Sequence, residues 1–323
     1  MSALSMVDLA RGVRVSRLCV GSLTVSPMQA NLPLERAAEV LAYAFDRGIN
    51  FIDTAQYYEN YAIIRRALEL CRDPDSVVIS TKTYAYSAEL AKEAVEEARR
   101  ELGRDVIDIF MLHEQESYET LRGHREALDR LFECKSRGII KAVGASMHHV
   151  AAVRGVITLA GRGVKLDVIH PIYNKAGIGI ADGDASDMAS AIRDAHDLGV
   201  GVFGMKSLAG GHLYSSAAEA FDFVLDSGFV DAVAVGMQSE AEIDANISYF
   251  ESRSFPAEAQ EVLKNKRRRL FIEDYCAGCG ACAERCAQGA LTVEDGRAVV
   301  NGEKCVLCAY CSKVCPLFAI KVL

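Results

Sequence analysis

The sequence predicts an α/β chain in which a (β/α)₈ barrel is followed by a small, cysteine-rich α+β domain. From about Val15 to Phe250, short β-branched runs alternate with longer segments of helical periodicity, as parallel strands with crossover helices require. Eight such rounds in about 250 residues match the size of a closed barrel. Eight of the eleven cysteines follow residue 275, so the thiols are concentrated in a second unit.

Each predicted strand leads into a predicted helix. The strand candidates are Val15–Gly21, Ile49–Asp53, Ser76–Lys82, Val106–His113, Ile140–Ser146, Val164–Tyr173, Val200–Lys206 and Val230–Met237. The first helix candidate, Leu34–Arg47, has one apolar face, and Gly48 follows where a left-handed cap residue belongs. We expect Met6–Val15, with Gly12 in its turn, to form a hairpin that closes the barrel floor. An open doubly wound sheet is the alternative, which the even count of eight disfavours.

The composition of the 323 residues, 50% hydrophobic and 25% charged, supports a buried core and excludes disorder. The formal net charge of -8 argues against a nucleic-acid partner, because phosphates are bound mainly by Lys and Arg. No apolar run approaches the roughly 20 residues that span a bilayer, and the first residues, MSALSMVDLARG, do not resemble a signal peptide. We therefore expect a cytoplasmic protein without a membrane partner.

A basic run, Lys264–Arg269 (KNKRRR), marks a change of composition between the two units. Such runs are usually solvated surface, so we interpret this one as a linker and not as a partner-binding segment. The expected boundaries are 1–262 for the barrel and 263–323 for the small domain, with the linker at 264–269.

The second unit contains an internal duplication. Its cysteines form C-x₂-C-x₂-C-x₃-C twice, with an offset of 29 residues between the copies. Three thiolates at every third residue bind one cubane, while the fourth completes the other cluster. The first predicted cluster has the ligands Cys276, Cys279, Cys282 and Cys315. The second has the ligands Cys305, Cys308, Cys311 and Cys286.

Two Cys₄ zinc sites are the alternative, but zinc does not require a third cysteine at the same interval. Disulfides are disfavoured by the expected compartment. The tail resembles a bacterial-type ferredoxin with two [4Fe-4S] clusters over about Leu270 to Leu323, although Ala287 stands where that family usually has a second proline. The isolated Cys19, Cys71 and Cys134 are expected to be buried thiols.

Four titratable residues lie at or just after the carboxyl ends of predicted barrel strands. Asp53, Lys82 and His113 end consecutive strands, and Tyr58 follows in the loop after Asp53. Each residue alone is better explained as a surface ion pair or a structural histidine. Together they are suited to delivering a proton to a carbonyl during hydride transfer. In this hypothesis Lys82 lowers the pKa of Tyr58, Asp53 holds Lys82, and His113 orients the substrate oxygen.

These residues lie in segments that resemble the aldo-keto reductase superfamily: Gly48–Tyr58 (GINFIDTAQYY), Ile79–Lys82 (ISTK) and Asp108–His113 (DIFMLH). The resemblance covers about Met6 to Glu251 and places the family's catalytic tetrad at Asp53, Tyr58, Lys82 and His113. With its cysteine tail, the chain resembles the iron-sulfur-containing branch. The resemblance implies a (β/α)₈ barrel, NAD(H) or NADP(H), and the reversible reduction of a small carbonyl compound to an alcohol.

The resemblance also implies contacts to the cofactor. The candidates are Ser146, His170, Met205, Lys206 and Asn246. Ser146 and Asn246 match residues that contact the carboxamide and the adenine in the family. His170 and Met205 replace its usual glutamine and stacking tyrosine, and Lys206 is a candidate phosphate contact. Glu242 stands where NADP-preferring members have an arginine, so we expect it to repel a 2′-phosphate.

The predicted barrel and the cysteine-rich domain transfer different numbers of electrons, since hydride transfer moves two electrons and each cubane passes one. One hypothesis is an electron relay through a redox protein partner or a flavin, although no motif indicates a flavin. The alternative is that the clusters only stabilise or dock the domain. An oxidoreductase with Tyr58 as general acid/base is the leading prediction. A ferredoxin-type electron-transfer protein and a nucleotide-sensing scaffold are the alternatives.

Overall fold

Eight parallel strands close into a barrel in the computed structural model, which describes residues 4–265, 268–317 and 319–322. A two-stranded hairpin, β1 (Met6–Ala10) and β2 (Val13–Ser16), precedes it. The barrel strands are β3 Leu18–Gly21, β4 Phe51–Asp53, β5 Val78–Thr83, β6 Ile107–Gln115, β7 Ile140–Met147, β8 Val168–Pro171, β9 Gly201–Met205 and β10 Ala232–Val235. Each pairs with its neighbour in chain order, and β10 pairs with β3. The closed barrel is confirmed, and the open sheet is excluded.

Helices surround the barrel. They are α1 Leu34–Asp46, α2 Tyr61–Leu70, α3 Ala88–Leu102, α4 Tyr118–Gly123, α5 Arg125–Ser136, α6 Val150–Gly161, α7 Ala185–Asp197, α8 Ala217–Leu225, α9 Glu240–Ser252 and α10 Ala257–Asn265. In α1 the predicted apolar face is buried, and Gly48 follows the helix with a φ of 96°. A positive φ favours glycine there because it has no Cβ to clash. In the described part of the chain, no helix has the length and apolar composition needed to cross a membrane.

Six of the eight predicted strands are shorter in the structure than expected, among them Val15–Gly21 and Val164–Tyr173. The candidate Val15–Gly21 is divided, because the Ser16 hydroxyl donates to the carbonyl of Leu18 at 2.7 Å and the backbone N–H of Ser16 donates to Asn50. The candidate Val164–Tyr173 contributes only β8. Asp167, just before β8, accepts the N–H of Val143 at 2.9 Å and so belongs to the connecting loop.

The N-terminal hairpin closes the floor of the barrel, as predicted. Its Leu9, Val13 and Val15 pack with Phe51 and other buried side chains from the amino ends of the strands. The approach is tight at β9, where a Cβ on Gly201 would lie 1.8 Å from the carbonyl oxygen of Leu9. Only a residue without a side chain fits at this position.

We expect Gly201→Ala to destabilise the protein by about 1–3 kcal/mol, because the new methyl group forces the hairpin off the barrel floor. Gly161→Ala is the matched control, since a Cβ there meets nothing within 4 Å. Chemical unfolding of both variants measures the difference. Equal free energies of unfolding would contradict the proposed contact.

The second domain is built from two small antiparallel sheets and two short helices. Its elements are β11 Leu270–Ile272, α11 Ala281–Arg285, β12 Leu291–Glu294, β13 Arg297–Val300, α12 Tyr310–Lys313 and β14 Ile320–Val322. Strand β11 pairs with β14, and β12 pairs with β13. The duplication is visible in the hydrogen bonds, since Cys286 and Cys315 each accept the N–H of the residue four positions later at 3.3 Å.

The basic run is not a plain solvated linker where the structure describes it. Helix α10 continues through Asn265, and Arg268 donates to the side chain of Gln29 in the barrel at 3.0 Å. Arg269 lies over the ring of Phe271 at 5.8 Å. Lys266 and Arg267 lie outside the described residues. Arg268 therefore connects this segment to the barrel, whereas Arg269 contacts only its neighbour Phe271.

Candidate active site

The four predicted catalytic side chains meet at the carboxyl end of the barrel. Asp53, Lys82 and His113 are on the neighbouring strands β4, β5 and β6, and Tyr58 ends a short 3₁₀ turn after β4. The Lys82 nitrogen lies 5.2 Å from the centre of the Tyr58 ring. The rings of Tyr58 and His113 are 5.7 Å apart. The order of strands in the barrel thus assembles residues that are far apart in sequence.

Lys82 and Asp53 form a buried ion pair. The Lys82 ammonium donates to both carboxylate oxygens of Asp53, at 2.8 and 2.7 Å, and to the carbonyl of Thr54 at 2.6 Å. Lys82 is 1% exposed and Asp53 5%. Burial by itself would raise the pKa of Asp53, but Lys82 and His170 outweigh it and leave that pKa below its ordinary value. Burial lowers the pKa of Lys82, and the charge of Asp53 opposes that lowering.

The pKa of Tyr58 moves in the opposite direction from the prediction. Burial raises it well above its ordinary value, and the carboxylates of Asp53 and Glu114 raise it further. The prediction that this pKa is lowered was therefore wrong, because burial and the two carboxylates decide its direction. Tyr58 is protonated at neutral pH, as a proton donor must be.

His113 is a buried, neutral imidazole. Burial lowers its pKa well below the ordinary value, and Lys82 lowers it further. Its Nδ1 has no hydrogen-bond partner within the described ranges. Its Nε2 lies 3.4 Å from the hydroxyl of Tyr310, a residue of the second domain. The ring also stacks on Tyr84, with 4.5 Å between centroids.

Two of the residues expected to contact a cofactor, Ser146 and His170, already contact other groups of the protein. Ser146 is buried on β7, where its hydroxyl accepts the N–H of Glu114 at 2.9 Å. His170 on β8 is held between the carbonyl of Phe203, 2.6 Å from Nδ1, and Asp53, whose Oδ2 lies 3.6 Å from Nε2. His170 is thus part of the charged cluster around Asp53. No sequence pattern indicated that contact.

Two adjoining cavities lie beside the tetrad. The mouth cavity, of about 130 Å³, is lined by Asp53, Tyr58, His170, Met205 and Lys206 together with residues of the second domain. The outer cavity, of about 480 Å³, is lined by Asn246 and Glu242 among others. Leu208, Tyr214, Val235 and Gly236 line both. The two cavities therefore share a wall. Of the predicted cofactor contacts, His170, Met205 and Lys206 line the first and Asn246 lines the second, whereas Ser146 lines neither.

A model of the Aldo/keto reductase family matches residues 17–217, more than half of the chain. The chain belongs to this family. An aldo-keto reductase of Mycolicibacterium paratuberculosis is 30% identical over 147 residues, which are 44% of this chain and 50% of that protein. The chain thus spans about half the length of that relative. A crystal structure described as an aldo-keto reductase of Pseudomonas aeruginosa has a TM-score of 0.65 at 23% identity, covering 78% of this chain and 97% of that one, and supports the fold.

The second domain of this aldo/keto reductase matches a 4Fe-4S dicluster domain over residues 270–319. A component of an ion-translocating oxidoreductase complex of Methanosarcina acetivorans is 36% identical over 59 residues, which are 18% of this chain and 22% of that protein. The family match favours iron-sulfur clusters over the zinc alternative. The resemblance of the tail to dicluster ferredoxins is confirmed.

The cysteines of one predicted ligand set line a common cavity. These are Cys286, Cys305, Cys308 and Cys311, the four thiols assigned to the second cluster. In the described residues, no three His, Cys, Asp or Glu side chains are grouped as a single metal ion requires.

The dicluster domain covers the mouth of the reductase barrel. Gln29 donates to the carbonyl of Leu307 at 2.9 Å, and the Nε2 of His212 lies 2.7 Å from the carbonyl of Cys305. Lys313 forms an ion pair with Glu59 at 2.7 Å. Cys308 lines both the mouth cavity and the cavity formed by Cys286, Cys305 and Cys311. The second predicted cluster is therefore the one next to the tetrad.

Tyr310 is the site residue that sequence reasoning missed. It lies between Cys308 and Cys311, where the spacing of the cysteines drew attention to the thiols alone. In the structure it is 7% exposed and reaches the tetrad. No periodicity or motif could have indicated this contact, because it depends on how two domains pack.

Proposed function

We propose that this protein is an iron-sulfur oxidoreductase that reduces a small carbonyl compound with a nicotinamide cofactor, or oxidises the corresponding alcohol. The observation that carries the proposal is the buried Asp53–Lys82 ion pair beside Tyr58 and His113 at the barrel mouth. A buried charge pair that adjoins a phenol and an imidazole in a cavity is typical of a catalytic site.

The four residues have separate tasks in this proposal. A bound nicotinamide supplies the hydride to the carbonyl carbon. Tyr58, protonated because burial raises its pKa, gives its proton to the carbonyl oxygen. The neutral imidazole of His113 hydrogen-bonds the same oxygen and orients it. Lys82, held by Asp53, lies 5.2 Å from the centre of the Tyr58 ring and positions that ring at the barrel mouth.

The groove between the two cavities is the proposed cofactor site. The volume of the outer cavity, about 480 Å³, is in the range of ligand pockets, roughly 300–1,000 Å³. We place the adenosine end there, against Asn246. His170, Met205 and Lys206 line the mouth cavity and would contact the nicotinamide end. Ser146 remains a candidate for the carboxamide, with its hydroxyl already bound to the backbone of Glu114.

Glu242 predicts a preference for NADH over NADPH. It lies in the first turn of α9 and lines the outer cavity, where a carboxylate repels a 2′-phosphate. We expect Glu242→Gln to lower the ratio of the dissociation constant for NADPH to that for NADH by about tenfold, or roughly 1.4 kcal/mol. Titration with both cofactors measures the ratio. Glu251→Gln, near the other end of α9, is the control, and equal changes in both variants would contradict the role of Glu242.

The eight cysteines of the dicluster domain are the proposed ligands of two [4Fe-4S] clusters, which supply one-electron transfer. Cys276, Cys279, Cys282 and Cys315 would hold the first. Cys305, Cys308, Cys311 and Cys286 would hold the second, beside the barrel mouth. This position supports an electron relay between the tetrad and a redox protein partner. A pure electron-transfer protein is the second candidate, because Tyr310 covers the predicted substrate site.

Anaerobic purification followed by two measurements tests the proposed function. Iron and sulfide analysis is expected to give about eight iron atoms per chain. Addition of aldehydes is expected to accelerate the oxidation of NADH, with the alcohol as product. A protein with full clusters that reduces no aldehyde and oxidises no alcohol would contradict the reductase and favour the electron-transfer candidate.

A further inference from the structure

Tyr310, the first residue of α12, brings a phenol from the dicluster domain to the tetrad. Its hydroxyl lies 3.4 Å from Nε2 of His113, and its ring packs with Tyr58 in one apolar cluster. These are the two groups that the proposed function assigns to the substrate oxygen. A phenol that contacts the orienting imidazole and packs beside the proton donor lies where the oxygen of a carbonyl would lie.

The ring of Tyr310 also fills the space that a substrate would need. Arg285 lies over its face, 4.7 Å from the centroid, and Tyr57 meets it edge-on at 5.2 Å. Met28, Ala55 and Tyr58 pack with it in a small apolar cluster. The mouth cavity, about 130 Å³, is smaller than ligand pockets of roughly 300–1,000 Å³. Tyr310 lines the neighbouring cavity of the cluster cysteines, so a bulky substrate reaches His113 only if this ring moves.

We infer that Tyr310 occupies the position of the substrate oxygen and is the residue that sets the size of the substrate. A carbonyl compound reaches Tyr58 and His113 only by displacing the Tyr310 ring, so small substrates are favoured over bulky ones. The inference rests on the proposed function, because it takes Tyr58 and His113 as the groups that bind the substrate oxygen.

The contacts around Tyr310 permit such a displacement. The ion pair of Lys313 with Glu59 is partly exposed, with 27% and 62% of the two side chains accessible, and exposed pairs contribute little to stability. Ser312 and Gln29 bind backbone carbonyls across the boundary, at 3.4 and 2.9 Å, through single hydrogen bonds. Water can replace these polar contacts, whereas the apolar cluster of Tyr310 with Met28, Ala55 and Tyr58 must open when the ring moves.

Three variants of the full-length protein with intact clusters test the inference. Tyr310→Ala removes the ring, and Tyr310→Phe keeps the ring but loses the hydroxyl. Tyr275→Ala is the matched control, because Tyr275 is also next to a cluster cysteine but is 56% exposed on the surface. Iron content and visible absorbance establish that all variants carry the same clusters as the wild type.

The first measurement is kcat/KM for acetaldehyde and for 4-nitrobenzaldehyde. Tyr310→Ala is expected to raise the ratio of the bulky to the small aldehyde by about tenfold or more. Tyr310→Phe is expected to keep the ratio of the wild type, because its ring still fills the space. An unchanged ratio in Tyr310→Ala, or the same change in Tyr275→Ala, would overturn the inference.

The second measurement is binding without turnover. Calorimetric titration with 4-nitrobenzyl alcohol, in the presence of oxidised nicotinamide cofactor, is expected to show tighter binding by about tenfold in Tyr310→Ala alone. If no variant reduces an aldehyde, the proposed function is contradicted and this titration still decides the steric role of Tyr310. Equal affinities in the wild type and Tyr310→Ala would overturn that role.

Discussion

Asp53→Ala is expected to lower the free energy of unfolding by about 3–5 kcal/mol, because it leaves the buried ammonium of Lys82 without its carboxylate. Lys82 is 1% exposed, so water cannot replace the lost oxygens without opening the barrel mouth. Urea unfolding at neutral pH measures the loss. Asp129→Ala is the control, because Asp129 forms an ion pair with Arg125 at the surface and such pairs contribute at most about 1 kcal/mol. Similar losses in both variants would contradict a buried, ionised pair.

The same pair gives stability a defined dependence on pH. The pKa of Asp53 is lower in the folded protein than in the unfolded chain, because Lys82 and His170 favour its charged form. Its contribution is present above the unfolded pKa of about 3.9, and it is lost as the pH falls toward the folded pKa. As the pH falls through this acidic range, the free energy of unfolding of Asp53→Ala should therefore decrease less than that of the wild type.

Tyr58→Phe is expected to lower kcat for carbonyl reduction by about 10²–10⁴-fold while the affinity for the cofactor is unchanged. The substitution removes the proton donor and keeps the buried ring beside Lys82. Steady-state kinetics and cofactor titration measure the two quantities separately.

Tyr61→Phe is the matched control for Tyr58→Phe. Tyr61 is also a buried tyrosine, but its hydroxyl bonds Thr81 at 2.6 Å and does not line the mouth cavity. Its variant should keep its kcat even if it is less stable. A Tyr58→Phe variant that retains kcat within a few-fold would remove Tyr58 as the general acid and contradict the proposed reductase mechanism.

The barrel could be predicted because its signals are local. Strand and helix periodicity, and the glycine after α1, depend on neighbouring residues in the chain. The tetrad could be predicted as a group because consecutive parallel strands end at the same face of a closed barrel. The limits of individual strands were less predictable. Single side-chain contacts, such as that of Ser16 with Leu18, decided where the first strand was interrupted.

The electrostatics of the site required the tertiary structure. Lys82 was expected to lower the pKa of Tyr58, but the sequence does not show how deeply the phenol is buried or which carboxylates face it. Burial, Asp53 and Glu114 raise that pKa. The contact between His170 and Asp53 likewise depends on how two strands lie across the barrel.

The sequence by itself determined the family of the barrel and the dicluster domain, because the motifs of both depend on spacing along the chain. It also predicts the tetrad and the two sets of cysteine ligands. Only the tertiary structure decided that the dicluster domain covers the barrel mouth and that Tyr310 reaches His113 from 197 residues away. That contact follows from the packing of two domains, and neither domain's own periodicity specifies the surface it presents to the other.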